Sequence, residues 1–272
     1  MRYADHVPKS TTERTRVRRG SFDTVARLYE QHRPGYPEAL FDDLVRRSGI
    51  PAGGRVLEIG PGTGQATLPL ARRGFVILGL ELGASMARRC RQNLGAFPKV
   101  DIRNVAFEDW ELEPEAFDIV LAATAFHWVK QHTGYLKAAR ALKRTGRLAL
   151  IWNFRAVSGT PMLERLAETY RRHAPHLAHP RQPEARIEIQ RRKIVNSGQF
   201  GPVEILRYPF TRPYTADEYI GLLRTMSDHA ILAPGLRRTI FREVRRLIAD
   251  HGGIFERPTN AVLFLAPKRL RR

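Results

Sequence analysis

The chain has 272 residues, 43% of them hydrophobic and 27% charged, with a formal net charge of +19 and a pI near 11.0. That hydrophobic content supports a core large enough for one α/β domain with insertions or two small domains, and no apolar run reaches the roughly 18 residues of a membrane span. A single cysteine, Cys90, excludes an internal disulfide and suits a reducing compartment, so a cytoplasmic location is expected.

The first twenty or so residues carry six basic and two acidic groups and few large apolar ones, and read as a mobile basic tail (1–20). From Phe22 the spacing turns helical, through Val25, Ala26, Leu28 and Tyr29, and breaks at Arg33-Pro34-Gly35. A second helix restarts at Pro37, puts Leu40, Phe41, Leu44 and Val45 on one face and stops at Gly49.

The most informative stretch follows, Arg55 to Glu81. The short apolar run Val56-Leu57-Glu58-Ile59 leads into Gly60-Pro61-Gly62-Thr63-Gly64, a helical segment opens at Gln65, and a second apolar run from Val76 ends on Glu81. Strand, glycine turn, helix, strand and acid is the layout of a nucleoside site. The glycines let the backbone approach the ligand, the helix start offers free N–H groups, and the acid accepts from ribose hydroxyls. Glu81 follows Gly60 by 21 positions, close to the roughly 20-residue interval of such units. A dinucleotide fingerprint needs its third glycine where this chain has Gln65. A nucleoside without a pyrophosphate suits the turn better. Pro69 lies inside the crossover segment and is expected to bend it.

On these residues the chain resembles the class I S-adenosylmethionine-dependent methyltransferases. Tyr29…Arg33-Pro34-Gly35-Tyr36-Pro37 is similar to a segment that opens many members of the type 11 and trans-aconitate methyltransferase-like group. The resemblance implies an α/β fold, a Rossmann-like seven-stranded mostly parallel sheet with helices on both faces and a helical lid. It further implies S-adenosylmethionine as cofactor and S-adenosylhomocysteine as product. Cofactor contacts are expected from Tyr29, Arg33, Glu58, Gly60, Gly62, Thr63, Gly64, Gln65, Glu81, Leu82, Met86, Phe107, Glu108 and Thr124. Tyr29 and Arg33 would reach the methionine carboxylate, to which Gln65 would donate its amide. Two departures stand out: Glu81 is longer than the usual Asp, and Ala106 sits where many members carry Asp, so Phe107 and Glu108 are the substitutes near the adenine.

A third strand is expected over 101–105 and a fourth over 117–122, the latter apolar throughout as a doubly covered parallel strand should be. It ends in Ala123-Thr124-Ala125-Phe126-His127-Trp128, and in open α/β sheets ligands bind beyond such strand ends. Tyr36, Phe126, His127 and Trp128 are therefore the expected acceptor pocket. His127 is either a general base for a hydroxyl or a positioning group for an acceptor already ionised. Trp110 reads as a packing anchor. A helix over 136–143 and a fifth strand over 148–152 complete a cofactor-binding core at 21–154.

Beyond it the regular alternation stops. Helices near 162–170, 184–195, 215–227 and 235–251, with strands at 203–210 and 261–266, read as a helical lid (155–266) inserted around the last two core strands, before a basic tail at 267–272. His173, His176 and His179 are separated by prolines and lack a completing ligand, so no metal site is expected.

The charge invites a nucleic-acid reading, but the arginines are spread as pairs such as Arg46-Arg47, Arg88-Arg89 and Arg245-Arg246 over most segments. Cys90 lies away from the acceptor side, where cytosine-C5 methylation would need a nucleophile, and Ala123–Phe126 replaces the Asp/Asn-Pro-Pro-aromatic signature of amino methylation. Methyl transfer to a small-molecule acceptor, on carboxylate or hydroxyl oxygen, is the leading reading, with an acidic acceptor as one candidate. An RNA or DNA methyltransferase and a non-catalytic cofactor-binding protein remain as rivals, and the oligomeric state stays open.

Overall fold

In the computed structural model, residues 26–178 and 182–270 are described. The expected basic tail at 1–20, the segment Phe22–Val25, His179, Arg271 and Arg272 lie outside them, whereas Pro267 of the expected C-terminal tail ends β7 and Lys268 bridges Phe200. Seven strands form one sheet: β1 (Arg55–Ile59), β2 (Val76–Leu80), β3 (Val100–Arg103), β4 (Phe117–Ala123), β5 (Leu142–Arg155), β6 (Glu204–Thr215) and β7 (Ile254–Pro267). Their order is β3-β2-β1-β4-β5-β7-β6, and β7 runs antiparallel to both neighbours while the other pairings are parallel. This is a Rossmann-like sheet whose strand order changes direction between β1 and β4, the position at which ligands bind.

Helices cover both faces. On one side lie α1 (Ala26–His32), α2 (Glu38–Ser48), α3 (Thr67–Arg72) and α4 (Ala84–Asn93); α5 (Gln131–Ala141) lies on the other. The central strands bury nearly every residue, Val56, Leu57, Ile119, Val120 and Leu121 being fully inaccessible, at roughly 1.5–3 kcal/mol of transfer free energy for each large side chain. α2 ends where expected, on Gly49 at φ 66°, a left-handed cap that glycine adopts without a Cβ penalty.

The crossover helix differs from expectation. Gln65 does not open it; turns persist to Ala66 and α3 is only six residues long. Pro69 explains the short start, because it falls at the third helical position, where the N–H has no intrahelical acceptor to lose. The late strands are longer than expected: β5, β6 and β7 span 14, 12 and 14 residues. Their ends project past the sheet as an antiparallel arm, with Thr215 paired to Ile254 at its tip.

The helices of the expected lid are α6 (Pro161–His173), α7 (Pro183–Asn196), α8 (Ala216–Arg224), a single turn at Ser227–Ala230 and α9 (Pro234–Asp250), of which α7 packs on the main core through Ile187 and Ile194. α6, α8 and α9 pack on the arm through their own cluster, centred on Leu166, Tyr219, Leu222, Ile240, Val244 and Phe255. A capping box starts α8: Thr215 accepts from the Glu218 N–H while the Glu218 carboxylate accepts from the Thr215 N–H. Among the described residues no helix is long and apolar enough to cross a membrane.

Phe41 of α2 is fully buried against the sheet and meets Tyr36 edge to face at 6.3 Å. Phe41→Ala is expected to cost about 3–5 kcal/mol of stability, read as a lower midpoint in urea denaturation at unchanged m-value.

Candidate active site

The loops after β1, β2, β4 and β5 converge on a cavity of about 480 Å³. Gly60 and Gly62 stand at φ 67° and 62°, and a Cβ on Gly60 would lie 2.7 Å from the Ala125 Cβ. Only glycine lets the first turn pass that closely beneath the loop after β4. Glu81, at the end of β2, accepts from the Gly62 N–H and the Gly83 N–H, both at 2.9 Å. Its longer side chain spans from one loop to the other. Thr124 closes β4 at φ 55°, a strained position for a non-glycine residue, and its hydroxyl pairs with the Tyr36 hydroxyl at 3.0 Å. Burial pushes the Tyr36 phenol above its ordinary value, so it stays neutral.

Of the residues expected from sequence, Tyr29, Arg33, Tyr36, Gly60, Gly62, Gln65, Glu81, Leu82, Met86, Phe107, Glu108, Thr124, His127 and Trp128 all line this cavity. Glu58, Thr63, Gly64 and Phe126 lie behind its wall. Gly64 faces Cys90 and Leu94 of α4 and its C-terminus, Thr63 is buried, and Phe126 packs on Tyr135 at 4.8 Å because its one-turn helix points it inward. Arg33 lines the cavity but spends Nε and one Nη on the hydroxyl and carbonyl of Thr225 at the end of α8, each at 2.9 Å. It therefore ties the leading helix to the lid.

Phe107 stacks on Trp110, which is buried and meets Phe117 edge on. The Trp152 indole N–H points at His127 Nδ1 over 3.5 Å, and His127 leans on Trp128. A donor at Nδ1 assigns the proton of the neutral ring to Nε2. Sequence reasoning missed Trp152, Arg155, Arg186, Gln190 and Asp228, which complete the cavity from β5, α7 and the turn after α8. Arg155 had a usable signal, since it ends a strand on the ligand side. Arg186 and Gln190 share one helix face at i and i+4, but nothing local ties that face to the cavity.

Glu58 sits in the middle of β1, fully buried. Burial raises its carboxyl to about 7, the Thr67 hydroxyl offsets part of the rise, and the nearby Glu81 adds to it. No hydrogen bond of good geometry closes on either carboxyl oxygen.

These residues suit a nucleoside that carries an amino acid. The Gln65 side-chain nitrogen is buried without a partner while the residue faces the cavity, as an amide waiting for a carboxylate would be. Glu81 stands at the tip of β2, where an acid accepts from ribose hydroxyls, and Phe107 offers an apolar wall.

Residues 57–150 match the model of a family described as a methyltransferase domain. Over that stretch the chain is similar to S-adenosylmethionine-dependent methyltransferases. It is 29% identical over 211 residues to an uncharacterised methyltransferase-like protein of Schizosaccharomyces pombe, covering 76% of this chain and 77% of that one. An uncharacterised methyltransferase of Mycobacterium tuberculosis is 35% identical over 136 residues, 50% of this chain. There the match spans only about half of the relative, 53%. Among solved structures, a protein described as a type II methyltransferase from Anaeromyxobacter dehalogenans shares the fold at TM-score 0.57 and 24% identity, covering 87% of this chain and 96% of that one. A Haemonchus contortus phosphoethanolamine N-methyltransferase, solved with phosphomonomethylethanolamine and S-adenosylhomocysteine, aligns at TM-score 0.55 and 18% identity over 91% of this chain and 58% of that one.

The raised Glu58 carboxyl fixes the sign of one pH dependence. Its folded value, about 7, exceeds the ordinary 4.5, so its contribution to stability is intact below about 4.5 and is lost as pH rises through 7. Glu58→Gln is expected to remove that loss, gaining up to about 3 kcal/mol relative to wild type between pH 5 and 8, as read from urea denaturation at each pH.

Proposed function

We propose that the protein methylates an oxygen, carboxylate or hydroxyl, of an acidic small molecule. The observation that carries this reading is the two-ended cavity. Glu81 and Glu108 stand at one end with the glycine turn, and Arg155, Arg186, His127 and Trp152 stand at the other. The first end suits a nucleoside's hydroxyls and amino groups, the second an anionic acceptor. The likeness to an enzyme solved with a phosphorylated small molecule is consistent with an acceptor of that size.

When bound, S-adenosylmethionine supplies a methyl group already activated by its sulfonium sulfur, so in-line displacement needs alignment more than acid/base power. Gly60, Gly62, Gln65 and Glu81 hold the nucleoside and its amino-acid arm. Tyr36 and Thr124, paired across the cavity floor, set the depth to which the acceptor descends. Trp152 and Trp128 fix the His127 ring, whose Nε2–H donates to the acceptor and orients its attacking oxygen. Alignment of this sort accounts for about 7–11 kcal/mol in favourable cases. A carboxylate acceptor needs no base; for a hydroxyl, the His127 imidazole would have to turn its Nδ1 away from Trp152 to take the proton, which the observed ring does not favour.

Incubation with methyl-labelled cofactor and a panel of carboxylic acids, phenols, neutral alcohols and RNA is expected to put label on an acidic small molecule. Label on RNA alone would replace this reading with the nucleic-acid one. His127→Asn keeps a donor and is expected to retain kcat within about tenfold, whereas a base role would cost about 10²–10⁴-fold. Steady-state kinetics on the labelled acceptor separates the two.

A further inference from the structure

The acceptor end of the cavity holds more positive charge than the reacting oxygen accounts for. Arg155 ends β5 opposite Thr259 of β7. Arg257 stands two residues further along β7 and therefore projects to the same face of the sheet. It is 7% exposed, and its Nε and one Nη lack any hydrogen-bond partner. Its neighbours are the Phe255 ring, 5.4 Å away, and the phenols of Tyr170, Tyr214 and Tyr219. Arg186 reaches the same end from α7, its guanidinium 5.1 Å from the centre of the Phe154 ring. Arg33 adds a fourth cation, held on Thr225.

Among the described residues no carboxylate pairs with Arg155, Arg186 or Arg257. The acid at this end of the cavity is Asp228, and it is engaged elsewhere: it accepts from the His229 N–H at 2.9 Å and meets the His229 ring at 2.8 Å. The ring passes on to the Tyr170 hydroxyl at 2.6 Å. Burial opposes the ionised form of Asp228, but the His229 bonds and the nearby Arg155 override it and hold the carboxyl at about 2. Arg186 is lowered by its burial and by the field of Arg155, and Arg257 by its burial and, among other terms, the same neighbour. The guanidinium groups share this end with one carboxylate, Asp228, whose hydrogen bonds go to His229, so their charge is only partly offset and an anionic ligand would relieve the rest.

We propose that Arg155 and Arg186, backed by Arg257, form a subsite for a second, non-reacting anionic group on the acceptor, a carboxylate or a phosphate. The inference rests on the reading of the protein as an acidic-acceptor methyltransferase. It adds that the substrate class is dianionic: a dicarboxylic acid, or a phosphorylated acid or alcohol. Arg155 and Arg186 offer planar forks suited to either oxyanion. Gln190, one turn beyond Arg186 and on the same wall, supplies a neutral donor beside them. The buried Arg257 adds field without touching the ligand, so it is a positioning residue for Arg155.

Calorimetry on the full chain tests this in two stages. S-adenosylhomocysteine is titrated first; failure to bind would overturn the methyltransferase reading itself, before the subsite is addressed. The saturated protein is then titrated with succinate, inorganic phosphate and neutral succinamide. Binding of succinate or phosphate but not succinamide is expected, and the tighter of the two anions names the source of the charge. Arg155→Gln and Arg186→Gln should each weaken the anion at least tenfold while S-adenosylhomocysteine affinity stays within twofold, and Arg186→Lys should recover part of the loss. Arg257→Met should weaken the anion less than Arg155→Gln does; should that variant fail to fold, the two exposed-side variants still decide the matter. Equal binding of succinamide, no anion binding, or a loss confined to S-adenosylhomocysteine would overturn the subsite, the last by assigning these arginines to the cofactor's own carboxylate.

Discussion

The Glu81 carboxylate is the contact on which the site depends. Accepting from the backbone of both Gly62 and Gly83, it joins the loop after β1 to the loop after β2, beside the point where the strand order changes direction. Hydrogen bonds to a charged group contribute about 1.5–3 kcal/mol each, enough to hold a left-handed glycine turn in one shape before any ligand arrives. That preorganisation keeps Gly60 close under Ala125 and so brings the loop after β4 within reach of the same cavity. An aspartate, one methylene shorter, would have less reach to bridge the two loops, and the departure from the commoner residue thus has a structural consequence.

Charge is divided along the cavity. Acidic groups gather at the glycine end, with Glu58 beneath them partly protonated near neutral pH, and guanidinium groups gather at the other. A low-dielectric cleft lined this way orients an asymmetric ligand before it is in contact. The high overall arginine content is a separate matter. Many surface arginines pair with local acids, as Arg191 and Arg192 do with Glu188 and Arg73 with Glu38 and Asp42, and such exposed pairs contribute little. The cavity arginines differ in standing inside the cleft, where the one nearby acid, Asp228, is bonded to His229.

The core was legible in the sequence because its signals are local. The glycine turn, the acid 21 positions on and the short apolar strands each lie within one segment, and the residues they named line one cavity. Glu58, Thr63 and Gly64 shared that segment but not the cavity, since alternation along β1 and the curl of the turn point them into the core. Residues beyond Trp152 were harder to read. β5, β6 and β7 run on past their apolar stretches because their arm packs against the lid rather than the main core, so polar residues such as Arg212, Glu256 and Arg257 fall within strands. Arg186, Gln190 and Asp228 reach the site from three-dimensional placement of helices, which no short-range pattern encodes.

The lid and the leading helix meet directly, and this sets how a ligand enters. His32 packs so tightly on Gly221 of α8 that a Cβ there would lie 2.4 Å from the imidazole, and Arg33 bonds to Thr225 at the same helix's end. On its other side α1 is held to α4 by Glu30, which accepts from Arg89 and Asn93. Yet none of the α1 residues Ala26–His32 is fully buried, whereas α8 buries five residues, three of them, Tyr219, Leu222 and Leu223, in the lid cluster. Opening follows the weaker packing: displacing α1 breaks a few polar contacts, while displacing α8 would expose Tyr219, Ile220 and Leu222 to water. The segment that carries Tyr29 and Arg33 to the cavity wall is therefore the more weakly packed of the two.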